Sequence, residues 1–405
     1  MRRSVLWALA LLVPPAGGCK FNFDPLRSAP AGDATEADAP IPDTPPMLVC
    51  GAPPKFSIDN PAGAGSGSGS GSSAPSLVGF AGAASATGYY AFAIDNTGKV
   101  HGFSFGFDGT TLASRMIDIP VYTDATGVIA ATATSDGVLA SIVYGAPDGT
   151  ALVPLDAELA PRGAAQTYPS WVGAENAIAQ LTDGTLAFLS TGSDVTTQVV
   201  ATDGVTHSPH HVVVDGGESP NEPTMTASDT GFLVTWSAGI ASPDEIHARL
   251  FDKQFATVVV DTTAISPTPM FAAHNPRVAY AAKPDRYLFA WWRKTGVTDE
   301  VWVSVRDNKL GEIAPVLVSG RAKFPRVVAG DDYFLVVWQD LDAPSGLGAA
   351  RVRFNGDVEV LAIAGSGGVS LGWDLVTRAG QPALIWLEAD TAGPKLSAWF
   401  DPLCG

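Results

Sequence analysis

The chain has 405 residues and a formal net charge of −17, with 16% charged and 46% hydrophobic residues. Its acidic surface would repel nucleic-acid phosphates and anionic lipids, which argues against nucleic-acid binding and electrostatic membrane docking. The 43 glycines and 31 prolines favour many turns over long helices, and the length allows one large all-β domain.

Residues 1–18 have the layout of a secretory signal peptide. Arg2 and Arg3 precede an apolar run from Val5 to Val13, and small residues follow that run. The run is too short to span a bilayer as a stable helix. No later stretch reaches its hydrophobic length, so no transmembrane helix is expected elsewhere in the chain.

The segment Ala16-Gly17-Gly18-Cys19 resembles the lipobox of bacterial lipoproteins. The resemblance implies that Cys19 is acylated, becomes the first residue of the mature protein and anchors it in a membrane. Lys20 stands where many inner-membrane lipoproteins have aspartate, which implies the outer membrane or the cell surface. The family prefers leucine at the position of Ala16, and ordinary signal peptidase could also cleave here and leave Cys19 as a free thiol.

Three segments follow the signal peptide. Residues 19–47 are rich in proline, alanine and aspartate, and we expect them to form a disordered acidic tether. Residues 48–59 include the apolar sequence FSI and form a candidate closing strand, and residues 60–76 form a Gly/Ser linker. The folded domain is expected to cover residues 77–405.

A repeated pattern runs through this domain. Four similar apolar runs end in tryptophan, at Trp236, Trp291, Trp338 and Trp386. Three upstream copies have other apolar residues in the same place, at Phe92, Val143 and Leu189. Each copy reads as a short strand, the apolar anchor strand, a third strand, a turn rich in Asp, Asn or Gly, and a fourth strand.

Four short strands in about 47 residues is the period of a β-propeller blade, and the anchor strands are apolar on both faces, as stacked sheets require. The sequence therefore predicts an all-β fold, a β-propeller of seven four-stranded blades. Six or eight blades remain open, and two packed β-sandwich domains are the alternative architecture.

The seventh copy has no recognisable fourth strand after the sequence PKLSAWF. Propellers similar to this one complete such a blade with a strand from the other chain end, which implies that residues 48–59 complete the last blade. An exported protein is exposed to an oxidising compartment, so Cys50 and Cys404 are expected to form a disulfide that joins the two ends. The alternative is a pair of unpaired buried cysteines.

Candidate chemical groups are few. His210 and His211 are adjacent and point to opposite sides of a strand, and with His207 they favour a surface loop over a metal site. No cofactor, no metal and no catalytic residue is predicted. The exposed aromatic side chains could stack on sugars, but blade packing is the favoured interpretation of Trp171, Trp302, Trp373 and Trp399.

These patterns favour a monomeric, lipid-anchored binding or scaffolding module for a protein or a glycan, at unknown binding residues, and they favour this over an enzyme. The alternative is a hydrolase or lyase that acts on extracellular polysaccharide. That alternative requires two carboxyl groups about 5 to 9.5 Å apart in the central channel.

Overall fold

The computed structural model describes the following residues: 77–95, 97–107, 110–117, 125–145, 148–169, 176–191, 194–205, 208–218, 220–238, 245–266, 272–296, 298–311, 313–342, 346–361, 370–378, 380–390 and 393–400. Within these ranges, no helix has the length and apolar character needed to cross a membrane. The predictions about the signal peptide, tether, closing strand, linker, Cys19, Cys50 and Cys404 lie outside the described residues.

The described residues form 27 strands in seven antiparallel sheets, each made from consecutive strands. The first three sheets contain β1 (Leu77–Ala84), β2 (Tyr89–Asp95), β3 (Val100–Phe105) and β4 (Thr111–Ile117); β5 (Ala125–Thr134), β6 (Gly137–Gly145), β7 (Asp148–Leu155) and β8 (Gln166–Pro169); and β9 (Asn176–Gln180), β10 (Leu186–Thr191), β11 (Val195–Val200) and β12 (His211–Val214). A short 3₁₀ helix, Gly216–Glu218, leads to the fourth sheet.

The remaining sheets contain β13 (Pro220–Ala227), β14 (Gly231–Ala238), β15 (Glu245–Asp252) and β16 (Val258–Ala264); β17 (Ala273–Ala281), β18 (Arg286–Thr295), β19 (Thr298–Asp307) and β20 (Val316–Ser319); β21 (Ala322–Ala329), β22 (Tyr333–Asp340), β23 (Leu347–Arg353) and β24 (Val358–Leu361); and β25 (Ser370–Arg378), β26 (Gln381–Asp390) and β27 (Gly393–Phe400). We call these sheets blades 1 to 7.

The prediction of a β-propeller is confirmed, but the prediction of seven four-stranded blades is wrong. Six blades have four strands, and the sheet of blade 7 has three among the described residues. Among the described residues, β25, β26 and β27 are the strands of this last sheet. The segment 48–59 that we expected as its fourth strand lies outside the described residues.

The first strand of every blade lies nearest the axis. Each first strand contacts the first strand of the next blade, from β1 to β5 and onward to β25, and β25 contacts β1. The contact between β25 and β1 closes the ring of inner strands around a central channel. The second strands lie behind them and carry the cores between neighbouring blades.

The anchor residues predicted from the repeat occupy the second strands. The tryptophan side chains of Trp236, Trp291, Trp338 and Trp386 are at most 2% exposed. The upstream anchors Phe92, Val143 and Leu189 are also buried, in β2, β6 and β10. A sheet with neighbours on both faces has no solvent-facing side at its centre, which explains why these strands are apolar throughout.

Three turns between third and fourth strands have the same construction. The aspartates that begin these turns are Asp156, Asp252 and Asp307. Each accepts hydrogen bonds through Oδ1 from the backbone amides two and four positions later. The residue three positions later has a positive φ, 62° at Leu159, 56° at Phe255 and 60° at Leu310. All three side chains are buried, so the left-handed backbone turns an apolar group into the blade core.

Candidate functional site

Irregular strand starts surround one end of the channel. The first strands of all blades except blade 3 have a shift in pairing register near their beginning. A β-bulge of this kind leaves residues unpaired and changes the direction in which side chains point. The bulges lie where second strands end and third strands begin, so they mark the channel mouth on that face of the propeller.

Three neighbouring bulges place a left-handed residue before a proline. Glu222, Asn275 and Phe324 have φ values of 49°, 51° and 51°, and each precedes a proline. Proline disfavours helical conformations of the residue before it, and a left-handed non-glycine residue carries a further cost. Strain of this type is concentrated at functional sites. The bulges of blades 4, 5 and 6 therefore make this part of the mouth a candidate functional site.

A single register position relates the channel to the buried anchors. In every blade, the residue just before the anchor on the second strand pairs with a residue of the inner strand. That inner-strand residue faces the channel. We call these seven residues the channel ring. In blade order they are Gly82, Ile129, Ile178, Thr224, Arg277, Arg326 and Asp374.

The channel ring lines a cavity of about 770 Å³ that includes residues from all seven inner strands. Its two sides differ in chemistry. Ile129 and Ile178 make the side formed by blades 2 and 3 apolar, whereas Arg277, Arg326 and Asp374 make the side formed by blades 5 to 7 charged. A ligand in this cavity therefore meets an apolar wall and a polar wall.

Asp374 is the carboxylate of this polar wall. Its Oδ2 accepts a hydrogen bond of 2.9 Å from the Gly82 amide, and its Oδ1 accepts one of 2.9 Å from the Leu375 amide. Arg326 Nε lies 3.7 Å from Oδ1. Burial raises the pKa of Asp374 above its usual range, although Arg326, the two amides and Arg277 each act in the opposite direction.

Two buried polar atoms beside the cavity have no hydrogen-bond partner among the described residues. They are Arg326 Nη1, a donor, and Asn275 Oδ1, an acceptor. Asn275 is 8% exposed, and both residues line the cavity. Buried polar atoms are nearly always paired, and an unpaired donor and acceptor at a cavity indicate a place for a polar ligand or water.

Aromatic rings complete the mouth. The Arg326 guanidinium carbon lies 5.8 Å from the Trp373 ring centroid, and Trp373 lines the cavity. Phe324 is 43% exposed and meets the Trp292 ring edge-on at 6.0 Å. The cavity therefore has two aromatic groups on the same side as its arginines.

The other residues singled out in the sequence do not form a site. Among the described residues, no three His, Cys, Asp or Glu side chains cluster in a way that could hold a metal. His101 bonds to Asp95 at 2.9 Å, and His247 and His274 face Glu245 and Glu222 at 3.5 and 4.0 Å. His207, Trp171 and the side chain of Trp399 lie outside the described residues.

Trp302 and Trp373 have different roles. Trp302 packs beneath Arg293, with 4.3 Å between the guanidinium carbon and the ring centroid, and donates a hydrogen bond to Glu300. Blade packing therefore describes Trp302 well. Trp373 also packs against the core of blades 6 and 7, but it faces the cavity as well.

Arg277, Arg326 and Asp374 were not among the residues predicted from the sequence. The signal was present, because Pro276-Arg277 and Pro325-Arg326 are identical dipeptides at the start of two repeats. The intervals between the three residues are 326 − 277 = 49 and 374 − 326 = 48, close to the repeat. An alignment of the copies on their anchor tryptophans places Arg326 and Asp374 at the same position, 338 − 326 = 12 and 386 − 374 = 12 residues before the anchor, whereas Arg277 lies 291 − 277 = 14 residues before its own.

Comparisons with known proteins bear on the fold. No family model matches the chain, and no curated protein matches it. Among solved structures, it is similar to the β-propeller domain of the Trilobed protease from Pyrococcus furiosus, with 10% identity, a TM-score of 0.51 and coverage of 82% of this chain and 96% of that one.

Two further structures resemble it more loosely. A mutant of the Aleuria aurantia lectin in complex with α-methyl-L-fucoside has 12% identity and a TM-score of 0.44, over 73% of this chain and 98% of that one. Puromycin hydrolase has 15% identity and a TM-score of 0.48, over 80% of this chain and 51% of that one. At such identities a structural likeness concerns the fold alone, and the Pyrococcus furiosus domain shows that this fold is a β-propeller.

Proposed function

We propose that this protein is a non-catalytic binding module that takes a saccharide into the mouth of its propeller channel. The observation that carries the proposal is the cavity of about 770 Å³ lined by all seven inner strands. Ligand sites in proteins have volumes of this order and combine apolar walls with a few convergent polar groups. The channel ring provides both.

A saccharide suits the cavity better than a protein surface does. Protein interfaces are broad, whereas this cavity is concave and lined by the inner strands. Sugars present apolar ring faces together with hydroxyl groups. Trp373 and Phe324 provide aromatic surfaces for the apolar ring faces. Asn275 Oδ1 provides an unpaired acceptor for a sugar hydroxyl group.

The alternative function, polysaccharide cleavage, has less support. Hydrolysis by the usual route needs two carboxyl groups, one of them an acid and the other a nucleophile or base. Among the described residues that line the cavity, Asp374 is the one carboxylate. Its oxygens are already engaged by the Gly82 and Leu375 amides, so binding without cleavage is the better-supported function.

The experiment is a saccharide-binding screen on the mature full-length protein, with mass analysis of every bound saccharide afterwards. We expect retention of intact ligand, and we expect Trp373→Ala to weaken it. Trp302→Ala is the matched control, because Trp302 lies outside the residues that line the cavity. Shortened products would support the enzyme, and equal loss in both variants would contradict the assignment of the site.

We further propose that the propeller is exported and held at the outer membrane or cell surface by a lipid on Cys19, as a monomer. The residues that support this are the apolar run and the lipobox-like segment. Two or more acyl chains give stable anchoring. The test is the intact mass of the mature protein from native membranes: a chain that begins at Cys19 and carries acyl mass is expected, and an unmodified thiol there would overturn the anchor.

The same measurement tests the closure of the ring. We propose that residues 48–59 complete blade 7 and that Cys50 and Cys404 form a disulfide. Alkylation without reduction should then add no mass at these cysteines. A loop of 404 − 50 = 354 residues corresponds to about 5 to 6 kcal/mol in the chain-entropy model, as an upper figure. Cys404→Ser should therefore lower the melting temperature, and two alkylated thiols would contradict the proposal.

A further inference from the structure

The cavity has the opposite charge preference to the rest of the protein. The whole chain has a formal net charge of −17, with 24 Lys and Arg against 41 Asp and Glu. The described residues that line the cavity include Arg277, Arg326 and one carboxylate, Asp374. A concave site with low-dielectric walls focuses the field of its own charges. The cavity should therefore attract anions although the protein surface repels them.

Arg326 is held in place by its neighbours. Its Nε faces Asp374 at 3.7 Å, and its guanidinium lies 5.8 Å from the centre of the Trp373 ring. Its Nη1 is buried and has no hydrogen-bond partner among the described residues. One edge of the guanidinium therefore faces a carboxylate, while its buried Nη1 is an unpaired donor beside the cavity.

Arg277 occupies the same register position one blade earlier. It pairs with Ala290 just before Trp291, as Arg326 pairs with Val337 just before Trp338. Arg277 and Arg326 both line the cavity, and Arg277 Nη1 donates a hydrogen bond of 2.8 Å to the Pro276 carbonyl. Two arginines on adjacent blades therefore lie on the same side of the cavity.

We infer that the cavity recognises an acidic sugar, with the carboxylate of a uronic-acid type residue bound by Arg277 and Arg326 and its ring lying against Trp373. Guanidinium groups bind planar carboxylates through paired hydrogen bonds. The inference deepens the proposed saccharide binding and depends on it. It names the chemical class of the ligand.

Two other features favour an acidic sugar over a simple anion. The unpaired Asn275 Oδ1 is an acceptor, so it suits a hydroxyl donor, which sulfate does not carry. The aromatic ring of Trp373 and the apolar side formed by Ile129 and Ile178 would remain uncovered by a small inorganic ion. A sugar acid carries a carboxylate, hydroxyl groups and an apolar ring face in one molecule.

The test is calorimetric titration of the mature full-length protein with a galacturonic acid trimer, the fully methyl-esterified trimer, a glucuronate-containing disaccharide and inorganic phosphate. We expect at least one acidic saccharide to bind about tenfold or more tightly than neutral forms, since hydrogen bonds to charged groups are stronger than those between neutral groups. Its affinity should fall as salt concentration rises.

The variants are Arg277→Gln and Arg326→Gln, with Arg351→Gln as the matched control. Arg351 lies on β23, where it faces Glu359, away from the residues that line the cavity. Both channel variants should lose the preference for the acid over its ester, whereas the control keeps it. If Arg326 had a merely structural role, Arg326→Gln would lower the affinities for the acid and for its ester equally. The ratio of the two affinities would then stay unchanged, and this result would overturn the inference.

The remaining outcomes separate this inference from the proposed function. If neutral saccharides bind as well as acidic ones, the inference fails and saccharide binding stands. If phosphate binds as tightly as the acidic saccharides, the cavity is a general anion site and the inference fails. If neither these ligands nor any saccharide in the wider screen is retained, the inference and the proposed function both fail.

Discussion

Asp374 Oδ2 accepts a hydrogen bond of 2.9 Å from the backbone amide of Gly82. The two residues are 374 − 82 = 292 positions apart, on the inner strands of the last and first blades. They also occupy the same register position of the channel ring. This hydrogen bond therefore joins the ring of inner strands at the point where the first and last described blades meet.

The first prediction concerns the acceptor at this junction. Asp374→Ala should lower the free energy of unfolding by about 1 to 3 kcal/mol, because it leaves the buried Gly82 amide without a partner. Asp374→Asn should cost less, since it keeps an acceptor and removes a buried charge. The pKa of Asp374 is raised in the folded protein, so the fold favours the neutral carboxyl group. The stabilisation by this neutral form is present at low pH and is lost as the pH rises through the pKa of the folded state.

Urea unfolding of the three proteins at pH 7 measures this order. The expected ranking is wild type and Asp374→Asn close together and Asp374→Ala clearly below them. A variant Asp374→Asn as unstable as Asp374→Ala would mean that the negative charge, rather than the hydrogen bond, stabilises the junction. Thermal unfolding of both variants provides a second measure of the same order.

The second prediction concerns close packing at the same junction. A Cβ atom added at Gly82 would lie 2.9 Å from Val376 Cγ1, closer than ordinary contacts allow. Gly82→Ala should therefore cost about 1 to 3 kcal/mol through overpacking. Val376→Ala removes the opposing methyl groups, so the double variant should lose less stability than the two single losses added together. Additive losses would show that the two positions do not meet in the folded protein.

The blade core could be predicted from the sequence because its signal is local. Trp236, Trp291, Trp338 and Trp386 each end an apolar run, and every one is buried in the second strand of a blade. Stacked sheets need such runs wherever they occur in the chain. One copy of the repeat therefore contains enough information to identify its own anchor strand.

The candidate site could not be predicted in the same way, because it depends on relationships between blades. Arg277 and Arg326 look like ordinary polar residues of alternating strands until the bulges at their strand starts are known. Asp374 acquires its role from Gly82, which is 292 positions away. The three-stranded sheet of blade 7 also differs from the expected four strands, since a repeat pattern does not say which segment completes an edge.

The third prediction tests the left-handed residues that bury apolar side chains in turns. Leu310 has a φ of 60° and is 2% exposed. Leu310→Ala should cost about 2 to 5 kcal/mol. Leu310→Gly should lower the free energy of unfolding by no more than Leu310→Ala does. Glycine adopts this backbone conformation without the penalty of about 1 kcal/mol that alanine carries.

Leu288 in β18 is the matched control, because it is equally buried but lies in a regular strand. There, Leu288→Gly should be less stable than Leu288→Ala, since glycine weakens a strand interior. Equilibrium unfolding of the four variants decides the matter. The same order of alanine and glycine at both positions would contradict a role for backbone strain at Leu310.

The fourth prediction concerns pH and the turn between β2 and β3. Asp95 accepts hydrogen bonds from Thr97, from the Lys99 amide and from His101. Burial opposes ionisation of this carboxyl, but the hydrogen bonds outweigh it and lower the pKa of Asp95 from 3.8 to about 2. A lowered pKa means that the ionised form stabilises the fold above about pH 4, and that this contribution is lost as pH falls toward 2.

Asp95→Asn should therefore lower the free energy of unfolding by about 2 kcal/mol at pH 6, because each tenfold change in proton affinity corresponds to about 1.4 kcal/mol. The difference from the wild type should shrink below pH 4. Asp203→Asn is the control, because Asp203 is an exposed turn residue that accepts a hydrogen bond from the Val205 amide. Urea unfolding from pH 7 to pH 3 measures both differences. A constant difference for Asp95→Asn across this range would show that its effect does not depend on ionisation, and that the turn is stabilised by shape alone.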